Sequence, residues 1–388
     1  MSKSRAKEDY KGFEQGPIRP PSEAYSLLIR VSRNCPWNKC AFCPVYKNER
    51  FSLRPADHVK KDIDAVAAHV EALRKMINDS GQIAREDIDT YMAKLSSGPD
   101  RQAFHAALNW LSAGMESVFL QDANSLIIKP ADMLEILRHL KTRFPWIKRI
   151  TSYARSHTVA RISDSELKEI ADAGLNRVHI GMESASDEVL KRVAKGSDKE
   201  QHIKGGKKVV KAGMELSEYV MPGLGGRDLS EDHARETADA LNQINPHFIR
   251  LRTLAIPASV PLYEEYQSGR FEKLTDYEAA QEILLFLESL EGIESYIRSD
   301  HILNLFEEVE GKLPDDKDKM TGVIRRFLEM PDRERMLYQV GRRLGYFRRL
   351  EDVSDASAVK EIEKVVSDYG ITPENVDQFI DTMMTRFI

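Results

Sequence analysis

The chain is poor in cysteine. It has three, all inside the run Cys35–Cys43 (CPWNKCAFC), and none in the rest of its 388 residues. An odd number confined to one loop excludes a disulfide framework. Long apolar runs are lacking too, so no segment reaches membrane-spanning length. Neither sign of charge dominates: 57 Lys and Arg stand against 62 Asp and Glu, a net charge of −5, and no basic tract stands out. That balance disfavours nucleic acid as a partner. Residues 1–19 are polar and carry no signal-peptide apolar segment, so a cytoplasmic location with reduced thiols is expected.

What is present is a repeating α/β pattern. Short β-rich runs occur at Tyr25–Ser32, Ser117–Leu120, Ile147–Tyr153, Arg177–Met182, Leu216–Met221 and Phe248–Thr253. From the second onward they recur about every 30 residues, the length of one βα unit. Between them lie helical patterns with start and stop signals: Ser163-Asp164-Ser165-Glu166 is a capping box, and Gly174 and Gly213 stand where helices should end. The expected fold class is α/β, a partial parallel (β/α)6 TIM-like barrel over 25–270. Residues 1–24 read as a polar tail, about 55–114 as a helical insertion after the first strand, and 271–388 as a helical C-terminal region opened by the capping box at Thr275–Glu278.

The cysteines follow the first strand directly. In parallel α/β barrels, sites form on the loops after the strands' C-terminal ends, so a metal centre is expected at the barrel mouth. A cubane iron–sulfur cluster normally takes four thiolates. Three would leave one iron open to an exchangeable ligand, against which Phe42 could pack. The competing readings are a structural zinc site, for which His58 is the nearest downstream fourth ligand, and buried free thiols. The tight spacing and the lack of other cysteines favour the cluster.

With these residues in view, the sequence resembles the radical S-adenosylmethionine (SAM) enzymes, over roughly residues 25–270. Their usual motif has three residues in the first gap between cysteines; here there are four, Pro36-Trp37-Asn38-Lys39, giving CX4CX2C. The segments His179–Leu190 with Lys195-Gly196, and Tyr219–Gly226, resemble the group of coproporphyrinogen dehydrogenase, the Elongator-type enzymes and the methylthiotransferases.

The resemblance implies Cys35, Cys40 and Cys43 as ligands of a [4Fe-4S] cluster, with SAM on the open iron. It implies that Glu183 accepts hydrogen bonds from the ribose, where the alternative is a helix-start Glu favoured by the dipole. Asp122, in Gln121–Asn124, stands where the family has a Gly-Gly-Glu-like segment for the SAM amino group; an Asx turn is the equal alternative. Arg155 could pair with the methionine carboxylate or be a solvated Arg, and Ser152 lies on the same edge. Met221 and Leu224 could flank adenine, and Gly223 suits close backbone approach to a ligand. Candidates for contact with the substrate are Tyr153, His179, Tyr219, Arg250, Arg252 and His301. Arg250 and Arg252 should share a face and suit an anionic group, unless buried acids claim them. No catalytic residue can be assigned from the sequence.

The resemblance further implies an oxygen-sensitive oxidoreductase or transferase that takes an electron from a donor such as flavodoxin or ferredoxin, cleaves SAM to methionine and a 5′-deoxyadenosyl radical, and abstracts hydrogen from a substrate. A small, anionic substrate leads. Radical modification of RNA is carried because of the Elongator and methylthiotransferase relatives, and a non-catalytic haem or cofactor carrier because of the coproporphyrinogen relatives.

Overall fold

The computed structural model describes residues 9–384. The strands are Leu27–Arg30 (β1), Ser32–Arg33 (β2), Ser52–Leu53 (β3), Ser117–Gln121 (β4), Arg149–Ala154 (β5), Arg177–Glu183 (β6), Glu215–Val220 (β7), Phe248–Leu251 (β8), Tyr296–Arg298 (β9) and Gly311–Lys312 (β10). Eight of them form one sheet in the order β1-β4-β5-β6-β7-β8-β9-β10, and β2 pairs β3 separately. The β1–β4, β4–β5, β7–β8 and β8–β9 pairs are parallel; β9–β10 is antiparallel. All six expected strands are present, in sequential order, as βα repeats require. The structure adds β9 and β10 in the region read as helical; three- and two-residue strands are too short to show a period of two.

Three helices, Ala56–Met76 (α1), Arg85–Ala93 (α2) and Gly98–Ser112 (α3), fill the expected insertion. Pro130–Arg143 (α4), Ser156–Val159 (α5), Asp164–Asp172 (α6), Asp187–Arg192 (α7), Lys199–Lys211 (α8) and Ser230–Ile244 (α9) connect the strands up to β8. Leu262–Gln267 (α10), Asp276–Ser289 (α11), Lys317–Glu329 (α12), Asp332–Leu344 (α13), Ala356–Asp368 (α14) and Val376–Met384 (α15) follow. The capping boxes at Ser163 and Thr275 both form, and Gly174 and Gly213 take the left-handed backbone (φ +114° and +86°) that ends a helix cheaply with glycine.

The chain divides into two compact units. The first holds residues up to 36, 48–179 and 211–214; the second holds 37–47, 180–210 and 215–388. In the first, Trp110 of α3 is buried against Phe144, ring centroids 4.9 Å apart, and its indole N–H donates to the Ser117 carbonyl at 2.8 Å. In the second, Phe306, Phe327, Tyr338 and Phe347 build an aromatic core under α12 and α13.

The N-terminal segment differs from the expected tail. Residues 1–8 lie outside the described residues, but from residue 9 the chain packs on the first unit. Phe13 is buried, and Glu14 receives Arg33 (Nη2, 2.7 Å) and Arg54 (Nε, 2.5 Å), with Arg30 at 3.6 Å. Burial raises the Glu14 carboxyl, but hydrogen bonding and the positive charge of Arg33, Arg54 and Arg30 outweigh it and hold the pKa below the usual value. Glu14→Ala is expected to cost about 2 kcal/mol in urea denaturation, because it leaves the buried Arg54 guanidinium with one acid fewer. An unchanged midpoint would show that the segment merely lies on the surface.

Candidate functional site

The cysteine loop leaves β1 and is closed at its base by β2 and β3, with Ser32 opposite Leu53 and Arg33 opposite Ser52. Asp122, just past β4, is fully buried. It accepts from Arg30 Nε (3.0 Å) and Nη2 (2.7 Å) and from the Asn34 backbone N–H (3.1 Å). Asn34 sits at φ +64°, which Asn tolerates better than most residues, and its side chain donates to the Arg50 carbonyl at 2.8 Å. Asp122 therefore fixes the residue directly before Cys35. This corrects the expectation for it: the carboxylate is engaged by a guanidinium and the loop backbone rather than set out for an ammonium group.

Residues 37–47 belong to the second unit. The Ala41 N–H donates to the Val193 carbonyl (2.8 Å), and the Ala41 carbonyl accepts from the Leu262 N–H (3.0 Å), so the backbone between Cys40 and Cys43 is held on both sides. The Trp37 indole donates to the Ala194 carbonyl at 2.7 Å. Gly196, at φ +68°, lies under that ring; a Cβ there would stand 2.3 Å from it. The Cys40 carbonyl accepts from Lys47 Nζ (2.8 Å) and the Cys43 N–H (3.4 Å).

The three thiols are half-buried and in no disulfide. Among the described residues no three His, Cys, Asp or Glu side chains gather around a point fit for one metal ion. His58, weighed as a zinc ligand, packs its ring on Tyr10 at 5.5 Å. The donor set still fits an iron–sulfur cluster, which takes thiolates on separate irons and needs no fourth protein ligand if one iron binds an exchangeable group.

Beside Cys43 lies a pocket of about 140 Å³. Phe42, Met221 and Leu303 supply apolar walls, and Arg252 and His301 supply the polar ones. Phe42 and Met221 also belong to one buried cluster with Leu224, Val189 and Leu254. His301 Nδ1 accepts from the Leu303 N–H at 3.3 Å, which leaves the proton on Nε2. Burial, then the Arg252 charge, push its pKa down to about 4, so the imidazole is neutral at pH 7. Among the described residues no carboxylate lines the pocket. Its donors are a guanidinium and an imidazole N–H, a set that suits an acceptor-rich ligand.

Glu183 ends β6 at φ +67°, a strained conformation for a non-glycine residue. Lys195 Nζ is 3.3 Å from its Oε1 and 5.7 Å from the centroid of the Phe42 ring. Gly181 makes room for the carboxylate: a Cβ at that position would lie 2.3 Å from Glu183 Oε1. Glu218 of β7 is wholly buried, and neither carboxyl oxygen has a hydrogen-bond partner among the described residues.

The Met221–Gly226 turn is braced from below. His233 of α9 donates from Nε2 to the Met221 carbonyl (3.1 Å) and accepts from Ser184 Oγ at Nδ1 (2.8 Å), and burial holds its pKa down near 4. The Gly223 N–H donates to Glu282 Oε1 of α11 at 2.6 Å. Gly223 sits at φ +86°, and at Gly225 a Cβ would meet the Leu229 carbonyl at 2.8 Å. The glycines thus shape the turn, and the Gly223 N–H is taken by Glu282.

The remaining candidates separate. In the first unit Tyr153 packs edge-on to Phe119 (5.1 Å) and next to His179 (5.8 Å), which lies 3.7 Å from Glu23 Oε1. Ser152 is fully buried, and its hydroxyl has no hydrogen-bond partner among the described residues. The Arg155 N–H donates to Asn124 Oδ1 at 3.0 Å. In the second unit Arg250 is claimed by Asp300 (2.5 Å) and Ser217 (3.2 Å), the alternative foreseen for it. Tyr219 pairs Arg250 across β7 and β8, and burial raises its hydroxyl pKa. Arg252, just past β8, is exposed in the pocket, so the two arginines do not act as a pair. Sequence reasoning missed Glu218, Glu282 and His233 as parts of the site. Acidic residues on a strand and on a helix otherwise read as surface charge, and nothing local reveals their burial.

Burial raises the Glu282 carboxyl to about 7 despite bonds from Ser230 and Gly223. The folded protein then holds a proton that the unfolded chain releases in the ordinary carboxylate range, so stability should fall as pH rises through that window. From pH 5 to 8 the wild type should lose about 1–3 kcal/mol more than Glu282→Gln in thermal melts. Parallel pH profiles would contradict this.

Against this geometry stand the comparisons with known proteins. Residues 99–241 match the profile of the Radical SAM superfamily. The matched segment covers Asp122, Ser152, Arg155, Glu183, Met221 and Gly223 but begins after the cysteine loop. The chain is 24% identical over 141 residues to the tRNA uridine(34) acetyltransferase of Methanocaldococcus infernus, and 23% over 140 residues to that of Methanocaldococcus jannaschii. Each match takes in 36% of this chain and spans about a quarter of the relative, 26% and 25%. Among solved structures, M. infernus Elp3 with its N-terminus deleted aligns at 15% identity over 59% of this chain and 58% of its own, TM-score 0.42. Coproporphyrinogen III oxidase (HemN) of Escherichia coli aligns at 14% over 64% and 49%, TM-score 0.42. Residues 99–241, then, match the Radical SAM superfamily, whose cofactors are a [4Fe-4S] cluster and S-adenosylmethionine.

Proposed function

We propose that this enzyme cleaves SAM reductively and passes the resulting radical to a small substrate that presents an anionic group. The observation that carries this reading is the acid-free pocket beside Cys43, with Phe42 and Met221 on its apolar walls and Arg252 and the neutral His301 as donors. When bound, the cofactors supply a one-electron cleavage that yields methionine and a 5′-deoxyadenosyl radical able to abstract hydrogen.

The chain's own residues bind, orient and exclude water. Cys35, Cys40 and Cys43 would hold the cluster as thiolates, on a backbone fixed by Val193 and Leu262. Phe42 and Met221 offer the adenosyl group an apolar seat. Glu183, with its carboxylate over Gly181, accepts from the ribose hydroxyls. Arg252 and His301 Nε2–H orient the anionic group, and Ile302 and Leu303 from the C-terminal region shield the pocket.

RNA modification is a second reading, favoured by the sequence match to the two tRNA acetyltransferases. The two part on a simple readout. Co-purifying RNA that survives a salt wash, and whose uridines change on incubation with SAM, supports the second; small-molecule turnover without RNA supports the first.

The test of the main reading is anaerobic purification, reconstitution with iron and sulfide, reduction by dithionite and addition of SAM. 5′-Deoxyadenosine should accumulate. Cys40→Ala should abolish both iron retention and product, and Glu183→Gln should weaken SAM binding about tenfold, the loss of about 1.4 kcal/mol expected for one charge-assisted hydrogen bond. Stoichiometric zinc with no iron uptake would end the account.

A further inference from the structure

The two donors of the pocket beside Cys43 lie where the sheet no longer supports them. β8 pairs with β9 as far as Arg250, opposite Arg298, and β9 ends there. Arg252 comes after β8, and His301 comes after β9. A backbone that leaves its ladder needs other hydrogen-bond partners, and here one side chain supplies them. Asn304 is 3% exposed. Its Oδ1 accepts from the Thr253 N–H (2.9 Å) and hydroxyl (3.0 Å). Its Nδ2 donates to the Leu251 carbonyl (2.8 Å) and to Ser299 Oγ (3.0 Å). Leu251 and Thr253 are the two chain neighbours of Arg252. The amide thus takes the carbonyl before Arg252 and the N–H after it, as a peptide group of a parallel partner strand does.

The same residue also ties down His301. The Asn304 N–H donates to the His301 carbonyl at 2.9 Å, which closes a tight turn over His301–Asn304. Behind that turn two buried guanidiniums of α13 hold three consecutive carbonyls. Arg343 Nη1 reaches Leu303 (2.7 Å), and Arg342 reaches Asn304 (Nη2, 3.0 Å) and Leu305 (Nε, 3.2 Å). Arg252, His301 and Leu303 line the pocket, whereas Asn304 stands outside its lining. All of these residues belong to the second unit.

We propose that Asn304 is the positioning residue of this pocket: it latches the backbone of Arg252 to the His301 turn, so that both donors meet the oxygens of one anionic group. The inference rests on the reading of this pocket as the substrate's. Two donors on separate, mobile segments would have to be ordered by the ligand itself, and that ordering weakens binding. Donors fixed beforehand bind without it. Asn304 touches no ligand atom and acts only through Arg252 and His301.

The experiment is calorimetric titration of the reconstituted, unreduced holoprotein with isovalerate, a short branched carboxylate suited to apolar walls and two donors. Wild type should bind it, and Arg252→Gln should weaken binding about tenfold, the loss of one charge-assisted contact. Asn304→Ala should weaken it about as much, with iron content and SAM affinity unchanged. The double variant should lose clearly less than the product of the two single losses, because a donor already removed cannot be misplaced. Wild-type affinity in Asn304→Ala, or losses that multiply in full, overturn the inference and leave the proposed function intact. A wild type that does not bind isovalerate overturns the anionic-substrate reading itself. A second readout needs no variant. A ligand that bridges Arg252 and His301 favours the closed latch, so saturating isovalerate should slow hydrogen exchange at the Thr253 amide severalfold. Exchange that does not change on binding contradicts the proposal.

Discussion

The site depends on one constraint, the holding of the Ala41 peptide between Cys40 and Cys43. Its N–H and carbonyl are bonded to Val193 and Leu262, groups far away in sequence. A short loop carrying three thiolates would repel itself and spread if it were mobile. Here the backbone between two of them is given a fixed path, and Trp37 is held beside it by the Ala194 carbonyl and by the space that Gly196 leaves. Phe42 follows Ala41 and so must enter the buried cluster that lines the pocket.

The same economy appears around Glu183. Its positive φ and the missing Cβ at Gly181 turn a carboxylate back over the sheet, where Lys195 reaches it. Below, the Met221–Gly226 turn is held by His233 and Glu282, both buried and both shifted toward their neutral forms. Neutral groups can brace a turn by hydrogen bonding without adding charge beside a centre proposed to bind an anionic cluster and a sulfonium.

Much of this was legible in the sequence. The six parallel strands follow from their spacing, and the cysteine run marks its loop because cysteine is absent elsewhere. Glu183 and Met221 stood out within segments that resemble a known family. What was illegible depends on contacts distant in sequence. Glu14 looked like part of a polar tail until three arginines met it, and Asp122 looked available until Arg30 did. The strand position of Arg250 was clear from Phe248–Thr253, but its claim by Asp300 needed the C-terminal region folded back. Burial decides whether a charged side chain is a tool or a strut, and burial is not local.

The central claim is that the three cysteines hold a [4Fe-4S] cluster whose open iron accepts SAM. Electron paramagnetic resonance of the dithionite-reduced, reconstituted protein tests it most directly. The account predicts the signal of a reduced [4Fe-4S] cluster, with g-values that shift when SAM is added. A cluster signal indifferent to SAM, or no cluster signal from a well-folded protein, would contradict it.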